Sequence, residues 1–144
     1  MKLNLKKIEK EAQKEFKDWG LEFTKDKDES TEYISYSNGT TLADKYDILI
    51  KFFFGDNGNS VGTAIFDKIE KTRENCKLVN DFNKNYNSIG TMFIREDGYL
   101  TLKMYSLIKS EKTCHSIIFG FLKSLTLDSV KEGLSVFDDL FIKE

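Results

Sequence analysis

From Leu3 to Trp19 the apolar residues Leu5, Ile8, Ala12, Phe16 and Trp19 recur at intervals of three and four. That spacing gathers side chains onto one stripe of an amphipathic α-helix. Gly20 follows as its C-terminal stop. On a helical wheel Lys6, Lys10, Lys14 and Lys17 fall on one flank of the stripe, and Glu11, Glu15 and Asp18 fall on the other. Beyond Gly20 the period changes. Lys25 to Ser30 is polar and reads as a loop, and Tyr33 to Tyr36 reads as a short strand that stops at Asn38-Gly39, a turn dipeptide. Tyr46 to Phe54 is rich in β-branched and aromatic residues and predicts a strand. Gly55-Asp56-Asn57-Gly58-Asn59 then turns the chain into Val61 to Phe66, so the three strands are expected to form a meander.

A second helix is predicted over Ile69 to Tyr86, with Cys76, Val79, Phe82 and Tyr86 on one face. Ile89 to Arg95, the turn Glu96-Asp97-Gly98 and Tyr99 to Ser106 form the clearest hairpin, because Gly98 adopts positive φ at no steric cost. Tyr99, Thr101, Lys103 and Tyr105 alternate with Leu100, Leu102, Met104 and Ser106, which predicts a sheet covered on one side. From Thr113 onward Ile117, Ile118, Phe121, Leu122 and Leu125, then Leu127, Val130, Leu134, Phe137, Leu140 and Phe141, carry a helical pattern with a break near Thr126 or Gly133. The expected class is therefore α+β: an antiparallel sheet of about five strands with helices packed on it, in the order α-β-β-β-α-β-β-α(α). Neither a repeat nor a linker divides the chain, so residues 1–144 read as a single domain.

At 40% hydrophobic, 13% aromatic and 32% charged, the chain has the composition of a globular protein with enough Phe and Tyr to fill a core. Its 22 basic and 24 acidic residues leave a net charge of -2, too small to steer it toward nucleic acid. Arg73 and Arg95 are its two arginines, and arginine is the residue that clamps phosphate bidentately, so nucleic acid is disfavoured as a partner. Cys76 and Cys114 have neither the number nor the spacing of a disulfide framework or a zinc site, which points to a cytoplasmic protein. The apolar residues near the N-terminus are spaced singly rather than in a secretory core, and the longest apolar run, Ile48 to Phe54, is broken by Lys51. No membrane segment is expected.

Each candidate for chemistry has a structural reading beside it. His115 adjoins Cys114, but neighbouring helical residues point apart, and no other Cys or His completes a ligand set. Asp56 to Ser60 has the oxygen density of a calcium loop, yet Val61 stands where glycine is required and Asp67 where a bidentate Glu is required. Gly55, Gly58 and Gly62 lack the strand-to-helix context of a phosphate loop. Catalytic, cofactor-binding and metal-binding residues are thus expected to be absent. Asp138-Asp139 and Asp26-Asp28 read as solubilising carboxylates. Asn83 falls in an apolar arc, where its amide is expected to bond backbone groups near the helix end or the following strand, while Asn80 lies further round. The residues left for contacting a partner are Lys6, Lys10, Lys14 and Lys17 on the helix flank and Tyr99 and Tyr105 on the hairpin.

The segment Leu78-Val79-Asn80-Asp81-Phe82-Asn83, followed by Ile89 to Ile94, Glu96-Asp97-Gly98 and Leu100 to Tyr105, resembles the YbjN family of small bacterial proteins, described as sensory transduction regulators. In that family a helix ending in a Leu-Asn motif with a second asparagine precedes a hairpin whose first strand ends in an acidic-Asp-Gly turn. The matching positions here are Asn80, Asn83, Asp97 and Gly98. The likeness in residues covers about a fifth of the chain, and the order of elements matches nearly all of it. The resemblance implies a fold similar to that of type III secretion chaperones and a non-enzymatic, protein-binding, dimeric regulator or chaperone-like module without a cofactor. A different class, a small inhibitor or immunity protein that blocks a toxin or nuclease, suits the same size and acidity; acidic residues clustered on one exposed face favour it and a scattered distribution weakens it.

Overall fold

The strand Tyr46–Gly55 (β3), whose burial alternates from Tyr46 to Phe54, lies inside a six-stranded antiparallel sheet. The computed structural model describes residues 2–26, 30–86 and 88–143. Tyr33–Leu42 (β2) and Asn59–Lys68 (β4) flank β3, giving the expected meander. Tyr99–Leu107 (β6) lies beside β4, with Thr91–Ile94 (β5) outside it, and a two-residue strand, Thr24–Lys25 (β1), pairs with the far edge of β2. Four helices complete the α+β fold: Leu5–Asp18 (α1), Arg73–Asn85 (α2), Cys114–Leu125 (α3) and Asp128–Leu134 (α4), the last continuing into a 3-10 turn over Ser135–Leu140. Among the described residues no helix is long and apolar enough to cross a membrane.

The first helix matches its pattern. The Asn4 side chain accepts from the Lys7 amide at 3.2 Å, capping the start, and Ile8, Ala12 and Phe16 are buried. The second begins four positions later than the periodicity suggests. Thr72 caps it, and Ile69 is instead drawn into a bridge with Phe141. Asn38-Gly39 is not a turn. Both residues lie inside β2, opposite Ile50 and Leu49, and the chain reverses at Ala43 and Asp44, whose φ values are 55° and 56°. The buried alternation of β3 demands a partner of equal length, and the Asn38 amide donates to the Glu22 carbonyl at 2.7 Å rather than closing a turn. Lys25 to Ser30 likewise begins as strand rather than loop; residues 27–29 lie outside the described residues. The break near Thr126 falls there, and Gly133 stays within α4.

The core sits between one face of the sheet and the helices. Phe16 meets Tyr36 edge-on at 5.2 Å, and Phe52 meets Phe121 at 5.8 Å. Gly62 makes room for that ring, since a Cβ there would lie 3.1 Å from Phe121. At the hairpin turn Gly98 has φ +95° and donates to the Arg95 carbonyl at 2.9 Å, as expected from Asp-Gly.

Asn83 closes the sheet edge. Its Nδ2 donates to the Met92 carbonyl at 2.9 Å and its Oδ1 accepts from the Met92 amide at 2.7 Å. The amide thus stands where a further strand would bond β5, which protects an edge that otherwise invites pairing with other chains. Asn80 is exposed. Asn83→Leu should lower stability by about 2 kcal/mol, because two buried backbone groups lose their partners. A urea midpoint equal to wild type, at equal slope, would overturn this account of the clamp.

Candidate interaction surface

Because strand side chains alternate between faces, burying one face of this sheet under α1 and α3 exposes the other as a set. Register aligns the outward residues in rows. Phe53, Val61 and Tyr105 form one row; Lys51, Thr63 and Lys103 the next; Leu49, Ile65, Thr101 and Phe93 a third, in which Thr101 is buried between its neighbours. Asp47, Asp67 and Tyr99 stand at the end nearest the β2–β3 turn. Tyr105 is 64% exposed, Leu49 37% and Phe93 36%, whereas the inward Leu100 and Leu102 are fully buried. Tyr33 stacks on Phe53 at 5.0 Å, extending the apolar strip to β2. A shallow hollow of about 680 Å³ lies over Leu49 and Ile65, walled by Asp47, Asp67, Arg95 and Tyr99.

Tyr99 and Tyr105 both belong to this open face, in different states. The Tyr105 hydroxyl donates to Asn59 Oδ1 at 2.6 Å, and its ring remains exposed. Tyr99 lies under two cations, Lys68 Nζ at 5.1 Å and the Arg95 guanidinium at 5.7 Å. Asp97 holds Arg95 at 2.7 Å and orders the turn, a structural part. Lys6, Lys10, Lys14 and Lys17 are exposed on α1, which packs against the opposite face of the sheet, so the structure does not bring them together with the two tyrosines. Leu49, Phe53, Val61, Ile65 and Phe93 are the open-face residues that sequence reasoning passed over. Their signal was present: apolar residues at the outward positions as well as the inward ones.

The acidic flank of α1 faces α3. Glu11 Oε2 meets His115 Nε2 at 2.5 Å, and Glu15 Oε1 lies 3.8 Å from Nδ1, so the one histidine clasps two helices. The hydrogen bond from His115 holds the Glu11 carboxyl below its ordinary value, helped by the charges of Lys14 and Lys112. Cys114 is buried with Sγ 3.8 Å from the Ile8 carbonyl, and burial pushes its thiol up to about 12, which makes it a packing residue.

Two carboxylates read as solubilising have structural partners instead. Asp138 accepts from Lys45 Nζ at 2.5 Å and from the Tyr46 hydroxyl, tying the 3-10 turn to the start of β3. Desolvation opposes its ionisation, but those two donors outweigh it and the carboxyl lies below its ordinary value. Asp26 accepts from Ser35 Oγ at 2.7 Å and Ser37 Oγ at 3.0 Å; Asp28 lies outside the described residues. The partners of Asp138 lie 93 and 92 residues away and those of Asp26 nine and eleven residues on in the next strand, so no helical or turn spacing marks either. Compared with protein-family models, curated proteins and solved structures, the chain matches none.

A carboxyl whose value is lowered on folding adds stability that is complete above its unfolded value and is lost as pH falls through the folded one. The ordinary values are 4.5 for Glu11 and 3.8 for Asp138. Urea midpoints followed from about pH 7 to about pH 3 should therefore decline at the acid end, and Glu11→Gln with Asp138→Asn should flatten that decline. An equally steep fall in the double variant would show that neither contact contributes.

Proposed function

We propose that this chain is a non-enzymatic protein-binding module, a regulator or chaperone-like protein of the YbjN type, which holds another polypeptide against the open face of its sheet. The carrying observation is that face: a contiguous strip of apolar and aromatic side chains left uncovered in a sheet whose other side packs beneath the helices. Single exposed apolar residues are ordinary in a protein surface, whereas a contiguous patch marks an interaction site. The element order helix, three long strands, helix, two strands, helices supports the family reading. A face dominated by acid favours the inhibitor reading; on this face Lys51, Lys103 and Arg95 stand beside Asp47 and Asp67, a balance that favours the first reading.

The test compares surfaces. Tagged wild type is passed through a lysate, alongside Phe93→Ser with Tyr105→Ser and, separately, Lys10→Glu with Lys14→Glu. The retained chain, foreign or an untagged copy of this one, should fall by about tenfold or more for the open-face pair and persist for the helix pair. Circular dichroism should show both variants folded, since all four side chains are exposed. Equal retention by both variants would sink the assignment to the open face.

A further inference from the structure

The two edges of the sheet end differently. Asn83 occupies the outer backbone groups of Met92, so β5 has no place for a further strand. At the other edge β1 pairs with two of the ten residues of β2, Tyr36 and Ser37, and the Asp26 N–H donates to the Ser35 carbonyl at 2.9 Å. The chain ahead of β1 leaves the edge, because Phe23 turns inward and stacks on Phe16 at 4.0 Å. In an antiparallel pair every second residue turns its N–H and C=O to the same side. Ser35 and Ser37 turn theirs toward β1, so Gly39 and Thr41 direct theirs past its end. Both residues are exposed, and no described residue outside the strand ladder bonds either backbone.

Gly39 lies inside β2 on the outward side, opposite Leu49. Its φ is not positive, and a Cβ there would meet nothing within 4 Å. Neither backbone conformation nor packing within the chain calls for glycine, a residue that weakens a strand interior and marks places where another backbone approaches closely. Its missing side chain leaves a notch in the edge through which Leu49, 37% exposed, is open from the side. Two positions on, Thr41 Oγ1 donates to Asp47 at 3.1 Å, and Asp47 is exposed with no ion-pair partner among the described residues. Gly39, Thr41, Asp47 and Leu49 all line the hollow of about 680 Å³.

We infer that an extended segment of the bound polypeptide adds to this sheet as a strand along residues 39–42. It lays an apolar or aromatic side chain across Gly39 onto Leu49, and a lysine or arginine two residues away reaches Asp47 over Thr41. This rests on the protein-binding reading above and deepens it: the segment enters from the edge and turns every second side chain onto the open face. An extended backbone is the partner chemistry that offers N–H and C=O groups at the repeat of Gly39 and Thr41, about 6.8 Å for two residues.

Charge selects the basic residue. Asp44 and Asp47 are both exposed at this end of β3, while Lys45 between them is engaged by Asp138. Lys51 stands opposite Ser37, where β1 already covers the edge. Lys68 and Arg95 gather over Tyr99 on β6, two strands beyond β3, and Asp97 holds Arg95.

Short random peptides displayed on phage and selected on the full chain should converge on alternating sequences with an apolar residue two places from a lysine or arginine. A synthetic consensus peptide, followed by fluorescence anisotropy, should lose affinity by about tenfold or more when the amides that face the edge are N-methylated, and keep it when the intervening ones are. Gly39→Val should weaken the same peptide by about tenfold or more and yet raise the urea midpoint, since valine fills the notch while suiting a strand. Selection on Asp47→Lys should lose the basic residue. Proton exchange at the Gly39 and Thr41 amides should slow when the peptide binds. No convergence, or a consensus peptide bound equally by Gly39→Val, overturns the strand addition. If that happens while Phe93→Ser with Tyr105→Ser still abolishes capture from lysate, the edge fails and the open-face reading stands. If the peptide behaves as expected while that pair leaves capture intact, the polypeptide is held by the edge and the assignment to the whole face fails.

Discussion

Burial of the inner side of β3 beneath α1 and α3 governs the remaining geometry. Ile48, Ile50, Phe52 and Phe54 are each 4% exposed or less, and each contributes about 2 kcal/mol through the apolar surface removed from water. With a period of two, that choice sends Asp47, Leu49, Lys51 and Phe53 outward together, and a slip of one residue would exchange the sets. The registers of β2 and β4 follow, since each must present its own buried residues, Ile34 and Tyr36 or Ala64 and Phe66, to the same helices. The open face is thus a by-product of packing on its reverse, and its rows are as well defined as the core beneath them.

Polar contacts then fix what apolar packing leaves adjustable. Asn83 sets α2 against the edge of β5, the Glu11–His115 contact sets α1 against α3, and Asp138 holds the last turn to the start of β3. These contacts are directional, so each selects one arrangement among several of similar buried area. Two buried oxygens are left over, and Asn38 Oδ1 is one of them. The Tyr36 hydroxyl has no hydrogen-bond partner among the described residues, and burial raises its pKa. That is a cost of about 1–3 kcal/mol, offset by a ring that packs against Phe16.

The two surfaces singled out as partner-binding differ in kind. The α1 lysines form a solvated flank, with Lys14 spanning 3.8 Å to Glu11, and their charges keep their hydration. The open face offers apolar area framed by charge of both signs, the composition that gives an interface both affinity and orientation. Tyr99 and Tyr105 were legible as half of that face; their neighbours on β3, β4 and β5 became visible once strand register placed them alongside.

Local pattern alone determined the elements that satisfy themselves locally. The α1 stripe, the β5–β6 hairpin with Gly98, the meander and the need of the Asn83 amide for a backbone partner all follow from periodicity or from turn and polar-group chemistry. Tertiary structure decided the rest. Asn38-Gly39 became strand because β3 required a partner of its own length, and Ile69 left the helix to bridge Phe141. His115 and Asp138 found partners about a hundred residues away. Periodicity states which side chains of an element turn inward, whereas which elements then meet depends on burying all of those faces at once, a condition that no short stretch of chain contains.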